Sequence, residues 1–195
     1  DLAIPLTVLQ HRLRKIQDRL EAEEEVEPEL VRVALEESHY IAALIANMSA
    51  AARLEAGRAQ RLEHEVDLAE VVERVVARHE PIARPREVSI DWAAPPEGLI
   101  VQGDSTLLEQ AISNLVQNAV QYNARGGHVA VILEEEGEED FSLRVMDDGP
   151  GAPEELLGVL AERAVRADDA RNRNPGGQGF GLSIAQRVCA AHGME

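Results

Sequence analysis

The chain has 195 residues, of which 45% are hydrophobic but only 3% aromatic, and its formal net charge is −17 at neutral pH. That length allows one domain of ordinary size plus a smaller module, with an aliphatic core suited to helix bundles and layered α/β packing. The acidity argues against a nucleic-acid partner, which needs clustered Lys and Arg to neutralise phosphates, and against an anionic membrane surface.

From the N-terminus, Leu2, Leu6, Leu9, Leu13, Ile16 and Leu20 step by alternating fours and threes. This heptad stripe predicts a helix facing another helix. Glutamates at 21, 23, 24, 25, 27 and 29, around Pro28, break the stripe as an acidic turn. A second long helix is expected from about Pro28, which suits a first helical position. Its apolar side carries Leu30, Ala34, Ile41, Leu44, Ile45 and Met48, and Gly57 serves as its stop. Two long helices on a short loop make an antiparallel hairpin over residues 1–60. Pairing of two copies into a four-helix bundle would cover the stripes. Packing of the hairpin on its own chain is the alternative.

After a polar connection from Arg58 to Glu65 the pattern becomes mixed, and residues 61–195 are expected to form a second domain. Residues 67–80 predict a helix with Leu68, Val71, Val72, Val75 and Val76 inward. Residues 86–92 alternate like a strand, Pro95–Gly98 is a turn, and 99–101 is a short strand. Asp104 or Ser105 caps the next helix, which carries Asn114 and Asn118. Two strands, 129–133 and 141–145, flank an acidic hairpin loop. Residues 148–176 read as a long loop, which inside a compact domain is a lid or a disordered segment. The last helix runs from near Gly179 to Ala191. Its Cys189, the only cysteine, excludes a disulfide framework, fits a reducing compartment and reads as packing. Neither a signal peptide nor an apolar run of ~20 residues is visible. A soluble, cytoplasmic piece is expected, with any membrane anchor outside this chain.

Three motifs carry the chemistry. Asn114 and Asn118, four apart, present two amides on one helix face, and an amide oxygen is a hard neutral ligand suited to Mg²⁺. Alone, the pair reads equally as surface or capping asparagines. Asp147-Asp148-Gly149-Pro150-Gly151 ends a strand with a carboxylate able to accept from an exocyclic amine, beside glycines that let a base approach closely. Alone it is a plain turn. Gly177-Gln178-Gly179-Phe180-Gly181-Leu182 opens a helix, where free N–H groups and the dipole favour phosphate. Alone it is a flexible linker. Arg166, Arg171 and Arg173, just upstream, could meet terminal phosphates. In this order the three supply places for a base, a metal and a phosphate chain.

The order and spacing resemble the ATP-binding domain of bacterial sensor histidine kinases. Asn114–Tyr122 is similar to the N box of that family, Asp147-x-Gly149-x-Gly151 to its G1 box, and Gly177–Leu182 to its G2 box. Asp1-Leu-Ala-Ile-Pro5 resembles the tail of its H box, and 52–57 the end of its dimerisation hairpin, so nearly the whole chain is covered. The resemblance implies an α+β architecture: a dimeric four-helix bundle of hairpins followed by an α/β sandwich of the Bergerat type. It implies ATP and Mg²⁺ as cofactors and phosphotransfer to a histidine, then to an aspartate of a response regulator receiver domain. By the same resemblance Asn118 ligates Mg²⁺, Asn114 supports metal and phosphates, and Tyr122 lines the adenine pocket. Asp147 binds the adenine amine. Gly149, Gly151, Gly177, Gly179, Gly181 and Leu182 shape pocket and lid, and Arg166 and Arg171 face the phosphates. Asp1 is the acidic neighbour of the phosphoacceptor.

The departures are specific. Aligned on Pro5, the phosphoacceptor histidine falls one position before Asp1; His11 is the nearby substitute, without a following acid. Ile4 stands where phosphatase-active relatives carry Thr or Asn, so weak phosphatase activity is expected. Gln121 replaces the N-box lysine, and residues 160–165 hold no Phe where the lid usually has one. Two further strands usually follow the last helix. A non-catalytic dimeric scaffold and a gyrase- or chaperone-like ATPase are the rival readings. His39, on the second helix, is a weaker substitute than His11, and His64, His79, His128 and His192 show no partner pattern and read as surface residues.

Overall fold

The computed structural model describes residues 2–56, 64–137, 140–151 and 181–194. They fall into two compact units, 1–49 and 50–195, with the division inside the second helix.

The first unit holds α1 (Ala3–Glu21) and most of α2 (Pro28–Glu55). Leu2 precedes α1 without a side-chain cap, and Thr7 Oγ1 donates back to the Ala3 carbonyl at 2.7 Å. Of the heptad stripe, Leu2, Leu9 and Ile16 are half-buried, whereas Leu6, Leu13 and Leu20 are 44%, 51% and 63% exposed. One seam of the stripe is thus covered within the chain and the other is open. The chain leaves α1 through Glu23 in the left-handed region (φ +57°), with Glu24 N–H bonded to the Arg19 carbonyl at 2.9 Å. Arg19 Nη1 then reaches forward to the Glu25 carbonyl (3.3 Å) and to Glu27 Oε1 (3.2 Å), which ties the acidic turn to the helix it follows.

The second unit starts with the last turns of α2 and continues as a two-layer sandwich. Strand β1 (Glu65–Asp67) pairs antiparallel with β3 (Ile100–Gln102). Asp67 ends β1 and caps α3 (Leu68–Ala83), its Oδ1 accepting from Ala69 N–H at 2.9 Å and from Leu99 N–H at 3.2 Å. A 3-10 turn, Arg84–Arg86, leads to β2 (Ser89–Ala93), which lies parallel to β4 (His128–Glu135). Strand β5 (Phe141–Asp147) pairs antiparallel with β4, giving the order β2-β4-β5. Between β3 and β4 runs α4 (Ser105–Gln121), and α5 (Gly181–Ala191) packs against it.

Strand alternation puts Val129, Val131 and Leu133 of β4 and Phe141, Leu143 and Val145 of β5 on the helix-facing side, while Arg144 and Met146 are exposed. They meet Val71, Val72 and Val75 of α3, Leu107 and Val116 of α4, and Val188 of α5 in one core. Each fully buried side chain of this kind contributes about 1.5–3 kcal/mol relative to exposure. The same alternation places Asp147, at the end of β5, on the helix side of the sheet.

The expected α+β sandwich is present, with three corrections. Strand β1 takes the last residue of the expected polar connection, Val66 and the first residue of the expected helix; three residues with one apolar position give no periodic signal. The strand expected from residue 86 begins at Ser89, because Arg84–Arg86 curls into the 3-10 turn closed by Glu87 at φ +58°. Nor are His79 and His192 surface residues. His79 is only 4% exposed; its Nδ1 donates to the Val75 carbonyl at 2.8 Å, and its Nε2 lies 3.4 Å from Ser113 Oγ. His192, half-buried, donates from Nδ1 to the Val188 carbonyl at 2.8 Å and accepts at Nε2 from Asp104 N–H at 3.0 Å. A carbonyl can only accept, so both rings carry their proton on Nδ1.

Candidate functional site

Helix α4 is the spine of the site. Asp104 starts it: Oδ1 accepts from Thr106 N–H (2.9 Å) and Leu107 N–H (3.2 Å), which satisfies two of the orphan donors of the first turn. Oδ2 of the same carboxylate receives Arg53 Nη1 at 3.0 Å, from the last turn of α2. Gly103 precedes it with no room for a side chain, since a Cβ there would stand 2.8 Å from Leu108 Cδ1 and 2.9 Å from His192 Cδ2. The end of α2, the start of α4 and His192 just after α5 thus converge on residues 103 and 104, a junction that the sequence motifs do not mark.

Asn114 and Asn118 occupy the same α4 face with different surroundings. Asn114 is 2% exposed. Its Nδ2 donates to the Gly181 carbonyl at 3.1 Å, and its Oδ1 accepts from Gln110 Nε2 at 3.2 Å. The structure therefore joins the start of the first motif to the end of the third. Asn118 is half-buried and so leaves its amide within reach of a ligand. Tyr122, the C-cap residue of α4, is 55% exposed. Arg86 Nη1 donates to the Gln121 carbonyl at 3.4 Å, which sets a cation against the negative end of the α4 dipole.

The second motif meets the C-terminal end of α4. Gly149 N–H donates to Asp147 Oδ1 at 3.0 Å, closing a tight turn. A Cβ at Gly149 would lie 2.8 Å from Asp147 Oδ1, 3.2 Å from the Tyr122 carbonyl oxygen and 3.3 Å from Asn123 Cα. Only glycine lets the turn come this close to the helix end. Gly151 adopts φ +71°, the left-handed region. Asp147 itself is exposed, on the helix side of the sheet edge.

Asp148 has a structural task. Its Oδ1 accepts from His128 N–H at 2.6 Å, which locks the turn after β5 to the start of β4. The His128 backbone N–H and the Asn123 side chain hold the Asp148 carboxyl below its usual range. Asn123 Nδ2 also donates to the His128 carbonyl at 3.1 Å, so the α4 end, the β4 start and the β5 end form one bonded corner. His128 Nε2 sits 2.8 Å from Asp91 Oδ2 on β2.

Leu182 is half-buried in the first turn of α5, beside the buried Gly181. Cys189 is half-buried on the same helix, and burial pushes its thiol up, away from the reactive thiolate. Asp1, Arg166, Arg171, Gly177 and Gly179 lie outside the described residues, as do residues 160–165. Among the described residues no group of three His, Cys, Asp or Glu could hold a metal. A cation here would rest on the Asn118 amide and take its remaining ligands from phosphates and water, which fits Mg²⁺. An open cavity of about 360 Å³, lined by Glu80, Arg84, Glu87 and Ile90 among others, shares no residue with the three motifs. No helix of the described residues is long and apolar enough to cross a membrane.

This arrangement has known counterparts. The sequence pattern of the histidine kinase-, DNA gyrase B- and HSP90-like ATPases covers residues 103–195. The sensor-like histidine kinase SenX3 of Mycolicibacterium smegmatis is 37% identical over 158 residues, 80% of this chain. The chain spans only 40% of the length of that relative. The solved mycobacterial sensor histidine kinase MprB is 30% identical, covers 67% of this chain and 80% of its own, and superposes with a TM-score of 0.54. The Acinetobacter baumannii histidine kinase AdeS, 21% identical, shares the fold over 97% of this chain and 85% of its own, with a TM-score of 0.60. With the N-box helix clamped to the G2 glycine and closed against the G1 turn, and with these relatives, the chain belongs to the sensor histidine kinases and carries their ATP-binding domain.

Proposed function

We propose that the chain is the catalytic core of a two-component kinase, which binds Mg-ATP and transfers its γ-phosphoryl group to a histidine. The observation that carries this reading is the double closure of α4: Asn114 on Gly181 at mid-helix, Gly149 against Tyr122 and Asn123 at the C-terminal end. The pocket between these closures has an acceptor for the adenine amine in Asp147, an aromatic wall in Tyr122 and a metal-holding amide in Asn118. The first turn of α5, with Gly177, Gly179, Arg166 and Arg171 upstream, faces the phosphates. In-line phosphoryl transfer needs little covalent help from protein groups, so positioning and charge carry the catalysis.

The receiving histidine belongs on the hairpin, in register just before Asp1, whose carboxylate would help take the imidazole proton. The exposed seam of Leu6, Leu13 and Leu20, with Ile45 and Met48 of α2 also exposed, supports pairing of two hairpins and docking of a response regulator receiver domain. Ile4, 68% exposed in the first turn of α1, has no group with which to orient water on a phosphoaspartate, so phosphatase activity should be weak.

The test is calorimetry with an ATP analogue on wild type and Asp147→Asn. The variant replaces half of the acceptor with a donor facing the adenine amine. Its fold should persist and its binding vanish; unchanged affinity would overturn the reading. Radiolabelled ATP should then label a histidine-bearing hairpin, and ATP hydrolysis without phosphohistidine would favour the gyrase- or chaperone-like alternative.

A further inference from the structure

We propose that Gln110, outside all three motifs, is a positioning residue for nucleotide binding, acting through the amide of Asn114. A buried asparagine amide has two orientations that differ in which end donates. Gln110 Nε2 donates to Asn114 Oδ1 at 3.2 Å, and this leaves Nδ2 to donate to the Gly181 carbonyl at 3.1 Å. With Asn114 2% exposed, water does not rescue the reversed orientation, which would set Oδ1 against the Gly181 oxygen. The Gly181 carbonyl, which can only accept, demands this orientation, and Gln110, half-buried one turn earlier on α4, holds it by donating to Oδ1.

The consequence is geometric. Gly181 begins α5, the helix start that receives phosphates in the proposed kinase function, and this inference rests on that reading. Asn118 lies one helical turn, about 6 Å, further along α4. Fixing Gly181 on Asn114 therefore fixes the separation between the metal-holding amide and the phosphate-facing helix start. Asn114 is then a clamp between two elements.

The experiment compares wild type with Gln110→Glu, Gln110→Lys and Gln110→Met in the full chain. Glutamate can only accept at that position, so it sets an acceptor against Asn114 Oδ1 and strains the clamp on Gly181; lysine can only donate, so it keeps the bond. Methionine keeps the volume without either group and guards against a misfolded glutamate variant. Binding of a non-hydrolysable ATP analogue is read by calorimetry, and hydrogen exchange of the Asn114 side-chain amide and of residues 181–185 by NMR without nucleotide. Gln110→Glu should weaken binding roughly tenfold and lose the exchange protection, with Gln110→Met between it and wild type and Gln110→Lys near wild type. A packing role alone would not separate lysine from glutamate, so equal affinities of those two variants would overturn the proposal. Wild-type affinity in Gln110→Glu would also overturn it while leaving the nucleotide reading intact. A wild type that fails to bind the analogue overturns both.

Discussion

Asp104 offers the sharpest energetic test of how the 50–195 unit is assembled. Its carboxylate has two separable jobs: Oδ1 caps α4 at Thr106 and Leu107, and Oδ2 holds Arg53. Removing an N-cap of this type costs about 1–2 kcal/mol. The Arg53 side chain is 47% exposed, so solvent screening limits the ion pair to about 0.5 kcal/mol. Asp104→Ala should therefore cost roughly 1.5–2.5 kcal/mol. Asp104→Asn keeps the cap and loses the charge, so about 0.5 kcal/mol is expected. Arg53→Ala should resemble the asparagine variant. The backbone N–H that Asp104 gives to His192 survives every one of these changes. In a domain of this size each kcal/mol moves Tm by about 2–4 °C, which separates the two Asp104 variants in a melting curve. Urea unfolding at low and high salt completes the assay, because only the ion-pair part should fade as salt rises. If Asp104→Asn proves as damaging as Asp104→Ala, the cap does not outweigh the ion pair and the reasoning fails.

Gly149→Ala should destabilise the unit by about 1–3 kcal/mol and abolish binding of an ATP analogue, because the added Cβ meets the Tyr122 and Asn123 backbone, which cannot swing aside as a side-chain tip can. Retained affinity, read by calorimetry, would mean that the turn stands clear of the α4 end. Asp148 titrates below its usual range in the folded protein, so the native state binds fewer protons there than the unfolded chain. Its contribution is complete above the unfolded carboxylate value of about 4 and is lost as pH falls through the lower folded value. Urea midpoints followed from pH 7 towards pH 3 should drop less steeply in Asp148→Asn than in wild type; parallel curves would refute the assignment.

Much of the site was legible because its parts are local. The Asn114–Asn118 spacing sits on one helix face, the glycines of the Asp147–Gly151 turn stand where tight approach or positive φ requires them, and Asp104 announces a helix start. The covered core was legible for the same reason, since Val71, Val72, Val75 and Val76 repeat with the helical period and Phe141, Leu143 and Val145 with the strand period. Strand β1 was not legible, because Glu65–Asp67 is held by pairing with β3 rather than by its own pattern. His79 carries no sequence sign of burial; its partners Val75 and Ser113 come from two helices.

Sequence alone determined the type of every element but the shortest, the order of the three motifs and, through that order, the kinase family, because periodicity and turn chemistry act over a few residues. Tertiary structure decided which residues do the joining. Asp104 and His192 are 88 positions apart, and Asn114 and Gly181 are 67 apart. No local pattern records such pairs, since each exists only when α4 and α5 pack over one sheet and their buried polar groups must find partners.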